Sequence, residues 1–196
     1  MIRAVFFDFY SVWAPDRLSY YLAAVQQNGP EAYQKQVDLV EQYYHGQVGV
    51  EALAEAFRIQ LGHTDISVKQ FQLQESDISP QIVDFMRSLH GHFLKVGILA
   101  NLGQQEANLL NNFNQQNEVF ETIASPLTLG LPSTLFSKEV FSAALQAIGE
   151  PTENCLMVSG NQFYLQFCTV LDLPTLRFGG LPQLQSTLSQ LVNTQA

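Results

Sequence analysis

Charged residues are scarce in this chain, and basic ones are scarcest. Only 14% of its 196 residues are Asp, Glu, Lys or Arg, well below the usual quarter or so, and 9 basic side chains stand against 18 acidic ones. The net charge is −9, and the sequence contains no cluster of Lys or Arg. Because nucleic acids and anionic membranes are bound mainly through basic patches, the sequence predicts neither as a partner.

Cysteines and long apolar runs are also few. Cys155 and Cys168 are the two cysteines, and their spacing fits neither a metal site nor a disulfide framework. The apolar start, MIRAVFFDF, is too short for a secretion signal or a membrane-spanning helix. These absences favour a cytoplasmic protein whose two thiols are reduced and buried.

The histidines lack the spacing of metal ligands, and no carboxylate cluster accompanies them. We therefore expect all of them to be structural or exposed: His45, His63, His90 and His92.

Hydrophobic residues make up 46% of the chain, in short runs that alternate with helical patterns. This alternation is typical of an α/β protein with a mainly parallel sheet. The first run is almost continuously apolar, as in a strand covered on both faces. Strands are predicted at Ile2–Phe9, Leu94–Leu99, Phe120–Ala124, Cys155–Val158 and Thr175–Phe178. Helices are predicted from Pro80 onward, with Ser79 as N-cap, and at Gln104–Gln116, Ser137–Ile148, Gln162–Leu171 and Pro182–Val192.

The segment after the first strand breaks this alternation. Three stretches with apolar residues at helical spacing follow one another, DRLSYYLAAVQQNG, EAYQKQVDLVEQYYHG and GVEALAEAFRIQLG, each closing on a glycine. Helices without an intervening strand indicate an insertion. We predict a core formed by residues 1–13 and 79–196 and a small α-helical cap formed by residues 14–78.

Polar residues follow the strands at the points where ligands bind. In an open parallel sheet, ligands lie just beyond the carboxyl ends of the strands. DFYS follows the first strand, ANLG follows Leu99, and SGNQ follows Val158. Asp8 at such an exit can simply cap a turn, but three polar exits at one sheet edge beneath a helical segment are better explained by a pocket for a small molecule.

In these motifs the chain resembles the haloacid dehalogenase (HAD) superfamily of Rossmann-like hydrolases. AVFFDFYSVW is similar to motif I, VGILAN to motif II, LFSKEVFSAALQAIGEPTENCLMV to motif III and VSGN to motif IV. The resemblance covers nearly the whole chain. It implies a nucleophilic aspartate, Asp8, after the first strand and a helical cap inserted directly behind it.

The residues that serve phosphate transfer in this superfamily are replaced here. Tyr10 stands where phosphatases have a second aspartate, Ala100 replaces the motif II hydroxyl residue, and Leu135 falls on the motif III lysine. Ser159 and Gly160 replace the acidic pair of motif IV. Mg²⁺ usually needs one or two protein carboxylates, and Asp8 would be the only one left. We therefore expect no metal and no other cofactor.

The 2-haloacid dehalogenases, a metal-independent branch, match better. They share the tyrosine two residues after the nucleophile and the Ser-x-Asn of motif IV, here Ser159 to Asn161. The resemblance implies that the catalytic residues are Asp8 and Tyr10. It implies that the substrate is bound by Ser11, Asn101, Ser159, Asn161 and Lys138.

Several positions depart from that branch as well. Lys138 lies one helical turn beyond the position of the branch's lysine, and it is either its substitute or an ordinary solvated lysine. Tyr164 replaces the aspartate that helps to activate water. The cap arginines, Arg17 and Arg58, lie outside any matching motif.

Two functions therefore remain open at the level of sequence. One is a hydrolase that acts through an Asp8 ester on a small uncharged or carboxylate-bearing substrate. The other is a catalytically degenerate domain that binds a small ligand or a protein partner. A Mg²⁺-dependent phosphatase ranks third, and the residues predict no oligomeric state.

Overall fold

The computed structural model describes residues 1–90, 94–132 and 137–193. Its strands are β1 (Ala4–Phe7), β2 (Lys95–Leu99), β3 (Thr122–Ala124), β4 (Cys155–Ser159) and β5 (Thr175–Arg177). They form a five-stranded sheet in the order β3-β2-β1-β4-β5, and every pairing is parallel. This confirms the predicted α/β class and its parallel sheet.

Strand β1 lies at the centre of the sheet because its side chains are apolar on both faces. Val5 and Phe7 point into one core with residues of β2 and β4, whereas Ala4 and Phe6 belong to the core on the opposite face. All four residues are buried. Phe7 pairs with Ile98 of β2 and Val158 of β4, so the chain leaves all three strands at the same edge.

Helices cover the sheet and occupy the segment after β1. They are α1 (Phe9–Val12), α2 (Arg17–Gln26), α3 (Pro30–Tyr44), α4 (Val50–Leu61), α5 (Pro80–His90), α6 (Gln104–Asn117), α7 (Lys138–Ile148), α8 (Gln162–Val170) and α9 (Leu181–Asn193). Short 3₁₀ turns lie at Val68–Gln70, Glu75–Asp77 and Thr152–Asn154. In the parts of the chain that the structure describes, no helix has the length and apolarity needed to cross a lipid bilayer.

The first predicted strand is too long by two residues at its carboxyl end. β1 stops at Phe7, and Phe9 is the first residue of α1. Phe9 is fully buried, and a buried helix residue and a buried strand residue look alike in the sequence. The consequence is that Asp8 lies at the junction of a strand and a helix.

The helices between β1 and β2 have a hydrophobic core of their own. It joins Leu18 and Val25 of α2, Val40 of α3, and Leu53 and Phe57 of α4. This core is separate from the two cores that flank the sheet. That residues 14–78 act as a cap over the site stays a prediction.

Candidate active site

Asp8 lies where the central strand ends. Its backbone N–H donates to the carbonyl of Val158 at 3.0 Å, which continues the pairing of β1 with β4 by one residue. The chain then turns into α1, for which Asp8 is the N-cap residue, but its side chain does not cap the helix. The side chain is only 3% exposed. The carboxylate is therefore held at the sheet edge by other groups.

Two hydroxyl groups bind the same oxygen of this carboxylate. Ser11 Oγ donates to Asp8 Oδ2 at 2.7 Å, and Ser159 Oγ donates to it at 2.8 Å. Each hydroxyl also accepts a backbone hydrogen bond, Ser11 from Gly160 N–H at 2.8 Å and Ser159 from Asn161 N–H at 2.9 Å. Backbone dipoles thus polarise both hydroxyls toward the carboxylate.

Gly160 favours this arrangement because a side chain there would crowd Ser11, which would have to shift. A Cβ atom at this position would lie 3.1 Å from Ser11 Cβ. The SGN sequence therefore has three separate tasks: Ser159 binds the carboxylate, Gly160 lets its backbone approach Ser11, and Asn161 reaches the cavity described next.

Burial raises the pKa of Asp8 from its ordinary 3.8 to about 6. The hydrogen bonds from Ser11 and Ser159 lower the pKa, and the negative charge of Asp16 raises it further. The two hydroxyls thus offset only part of the cost of desolvation. Asp8 is largely ionised at neutral pH and becomes protonated on mild acidification.

A cavity of about 400 Å³ opens above Asp8. Its lining includes five of the site residues predicted from sequence, which the fold brings together from three strand exits: Asp8, Tyr10, Ser11, Asn101 and Asn161. The other side of the cavity comes from the helical segment, including Leu18 of α2 and Val40 and Tyr44 of α3. The cavity thus lies between the sheet edge and those helices.

Two predicted site residues lie elsewhere. Ser159 is fully buried beneath Asp8 and contributes nothing to the cavity lining, so it positions the carboxylate and does not contact a ligand there. Lys138 is exposed at the first residue of α7 and does not line the cavity either. Leu135, on which the superfamily's lysine position falls, lies outside the described residues.

Neither arginine of the helical segment lines this cavity. Arg17 forms an ion pair with Asp77 at 2.6 Å and donates to the carbonyl of Gln72. Arg58 donates to the carbonyl of Ile66 at 2.7 Å and forms an ion pair with Glu55. Both side chains tie parts of the helical segment together.

Among the lining residues that were not predicted from sequence as site residues are two acids and a histidine. They are Asp16, before α2, and Glu41 and His45 of α3 and its C-cap. His45 is half-buried in the cavity wall. That the histidines are structural or exposed stays a prediction, and His92 lies outside the described residues. A signal was present, because Glu41 and His45 are four residues apart and share one helix face.

Glu106 is a further buried acid that the sequence analysis missed. It lies in the first turn of α6, is 2% exposed, and accepts a hydrogen bond from Tyr43 Oη at 2.5 Å. Burial raises the pKa of Glu106 and that of Tyr10, and the charge of Glu106 raises the pKa of Tyr10 further. The Tyr10 hydroxyl therefore stays protonated.

Tyr164 of α8 also lines the cavity, in the place of the superfamily branch's aspartate. Burial raises its pKa well above the ordinary value, and the charge of Asp8 adds to this. Its hydroxyl is thus a neutral group and does not accept a proton from water at neutral pH. Among the described residues, no group of three or more His, Cys, Asp or Glu could hold a metal ion.

No protein-family model matches the chain, and neither does any curated protein. Solved structures do match. A predicted HAD-like family hydrolase from Porphyromonas gingivalis has a TM-score of 0.63 at 16% identity, with 96% of this chain and 98% of that one covered. The L-2-haloacid dehalogenase from Xanthobacter autotrophicus has a TM-score of 0.61 at 19% identity, covering 92% and 79%. A HAD family enzyme from Bacteroides thetaiotaomicron has a TM-score of 0.61 at 15% identity, covering 90% and 93%. The chain therefore has the fold of the haloacid dehalogenase superfamily.

Proposed function

We propose that this protein is a hydrolase that works without a metal ion through an ester formed at Asp8. In the first step a carboxylate oxygen attacks an sp³ carbon of a small substrate, a carbon–oxygen bond forms, and the leaving group departs with its electron pair. Water then attacks the ester carbonyl and releases the substrate carbon as an alcohol. One proton goes to solvent, and the Asp8 carboxylate is restored.

The observation that carries this proposal is the asymmetric anchoring of Asp8. Both hydroxyls bind Oδ2, and we assign the attack on a molecule in the cavity to Oδ1, which neither hydroxyl binds. The Asn101 and Asn161 side chains lie in the same lining and can bind a neutral polar group. We assign the helical segment 14–78 the role of a cap that keeps bulk water from the ester.

Two neighbours in fold represent the two chemistries to be distinguished. The Xanthobacter autotrophicus dehalogenase has been solved with chloropropionic acid covalently bound, and the Bacteroides thetaiotaomicron enzyme in complex with magnesium and inorganic phosphate. Tyr10 in the place of an acid and the lack of a metal-binding group among the described residues support the first chemistry. A carbon centre also brings no phosphate charge that a cation must neutralise.

The test is a single turnover in heavy-oxygen water with a panel of small chloroalkyl compounds that includes 2-chloropropionate. The Asp8 peptide should gain one heavy oxygen by mass spectrometry, while the first product molecule carries ordinary oxygen. Asp8→Asn should release no chloride, and Asp38→Asn, an exposed carboxylate of α3 outside the cavity, should behave like the wild type. Heavy oxygen in the first product without label in Asp8 contradicts the proposal, as does Mg²⁺-dependent release of phosphate from p-nitrophenyl phosphate.

A second function is favoured by the position of Lys138. Because this lysine is exposed and away from the cavity, no lysine among the described residues lines the cavity beside the nucleophile. The protein would then bind a small molecule without transforming it. Binding with no chloride release, no adduct and no label in Asp8 is the result that identifies this alternative.

A further inference from the structure

The charge of the cavity lining limits what it can bind. Asp8 lies at its floor, and Asp16 and Glu41 lie at its exposed rim. None of the described residues that line it is a lysine or an arginine. A carboxylate or phosphate group in this space would meet three acidic side chains, and His45 is the one basic side chain of the described lining. This excess of acidic groups disfavours anionic ligands.

Three tyrosine side chains also line this cavity. Tyr10, Tyr44 and Tyr164 come from α1, α3 and α8, so the rings approach the cavity from three elements. The face of a tyrosine ring attracts a cation, most strongly where water is excluded. Aliphatic side chains of the helical segment, including Leu22 and Val37, provide apolar contacts for an organic group.

We propose that the cavity binds a small organic cation, an ammonium group with an apolar body, and that Glu41 and the tyrosine rings select it against neutral and anionic molecules. Glu41 is suited to this role because it is exposed at the rim and forms no ion pair or side-chain hydrogen bond with the described residues. Its charge is therefore available to a ligand. Asp16, by contrast, already accepts hydrogen bonds from the backbone and hydroxyl of Ser19.

Three molecules of nearly equal shape test the proposal: choline, the neutral 3,3-dimethylbutan-1-ol and the anionic 3,3-dimethylbutanoate. Calorimetric titration at pH 7.5 should give choline an affinity about tenfold or more above that of the alcohol, with the anion weakest. Glu41→Gln should weaken choline severalfold and leave the alcohol unchanged. Glu31→Gln, on the first turn of the same helix and outside the cavity, is the matched control.

Equal affinities for choline and the alcohol, tighter binding of the anion, or no binding of choline at millimolar concentration would overturn the inference. So would an equal loss of choline affinity in Glu31→Gln and Glu41→Gln. The inference uses the cavity of the proposed function, but the two fail separately. Chloride release from 2-chloropropionate without any preference for choline would refute only the cation site. A choline preference in a protein that releases no chloride from any chloroalkyl compound, including the cationic (2-chloroethyl)trimethylammonium, would refute only the hydrolase.

Discussion

Changing Asp8 to asparagine should make the protein more stable, and the gain should grow with pH. In the folded chain the pKa of Asp8 is raised from 3.8 to about 6, chiefly by burial. The folded state therefore holds this proton more tightly than the unfolded state does. The stability that the protonated group contributes is present at low pH and is lost as the pH rises through about 6.

The size of the effect follows from these two pKa values. Because the pKa of Asp8 is higher in the folded than in the unfolded state, the unfolding free energy falls as the pH rises. The loss relative to low pH is about 1 kcal/mol at pH 4.5 and about 3 kcal/mol at pH 7.5. Asparagine keeps an oxygen that can accept hydrogen bonds from Ser11 and Ser159, and it cannot ionise. The stability difference between Asp8→Asn and the wild type should thus rise by about 2 kcal/mol over this range.

Urea unfolding at pH 4.5 and 7.5 measures this difference directly. Because the chain carries a net charge of −9, removing any carboxylate relieves some repulsion, and Asp38→Asn controls for that general effect. If the gain in Asp8→Asn stays constant between the two pH values, or falls as the pH rises, burial does not penalise the ionised carboxylate and the reasoning fails.

The remaining predictions concern the groups around Asp8. Chloride release in the wild type should increase as the pH rises through about 6, because only the ionised carboxylate attacks. Ser159→Ala removes one hydrogen bond to that carboxylate. The midpoint of the increase in kcat/KM should then shift to a pH about one unit higher, which a pH profile of kcat/KM measures. Tyr43→Phe removes the hydrogen bond that the Tyr43 hydroxyl donates to the buried carboxyl of Glu106 and should lower the unfolding free energy by about 1–3 kcal/mol. Tyr20→Phe, on an exposed ring, should change it little.

The sheet was predictable because its strands carry their signal locally. Short runs of mostly apolar residues, AVFF, VGIL and CLMV, mark β1, β2 and β4 as strands covered on both faces. The same runs place Asp8, Asn101 and Asn161 at one edge as soon as the strands are taken as parallel. The junction at Phe9 was missed since an apolar run does not record where the backbone turns from strand to helix.

The opposite wall of the cavity was not predictable in the same way. Asp16, Glu41 and His45 are ordinary surface residue types on helices, and only the path of the chain between β1 and β2 brings them over the sheet edge. The role of Ser159 was also hidden, because a motif gives a residue's position in the sequence but not whether its side chain points to the ligand or to Asp8. In the structure it points to Asp8.

The pKa of Asp8, which is raised chiefly by burial, is a property that a ligand in the acidic cavity can change. The described lining contains no lysine or arginine. The ionised carboxylate is favoured by hydrogen bonds from Ser11, Ser159 and the backbone of Tyr10, and Asp16 opposes ionisation. An organic cation in the same space would supply the missing positive charge and lower the pKa of Asp8. The substrate would then help to ionise the group that attacks it. A neutral ligand would leave Asp8 about half protonated near pH 6. Selection of a cation and activation of the nucleophile are thus the same electrostatic event in this site.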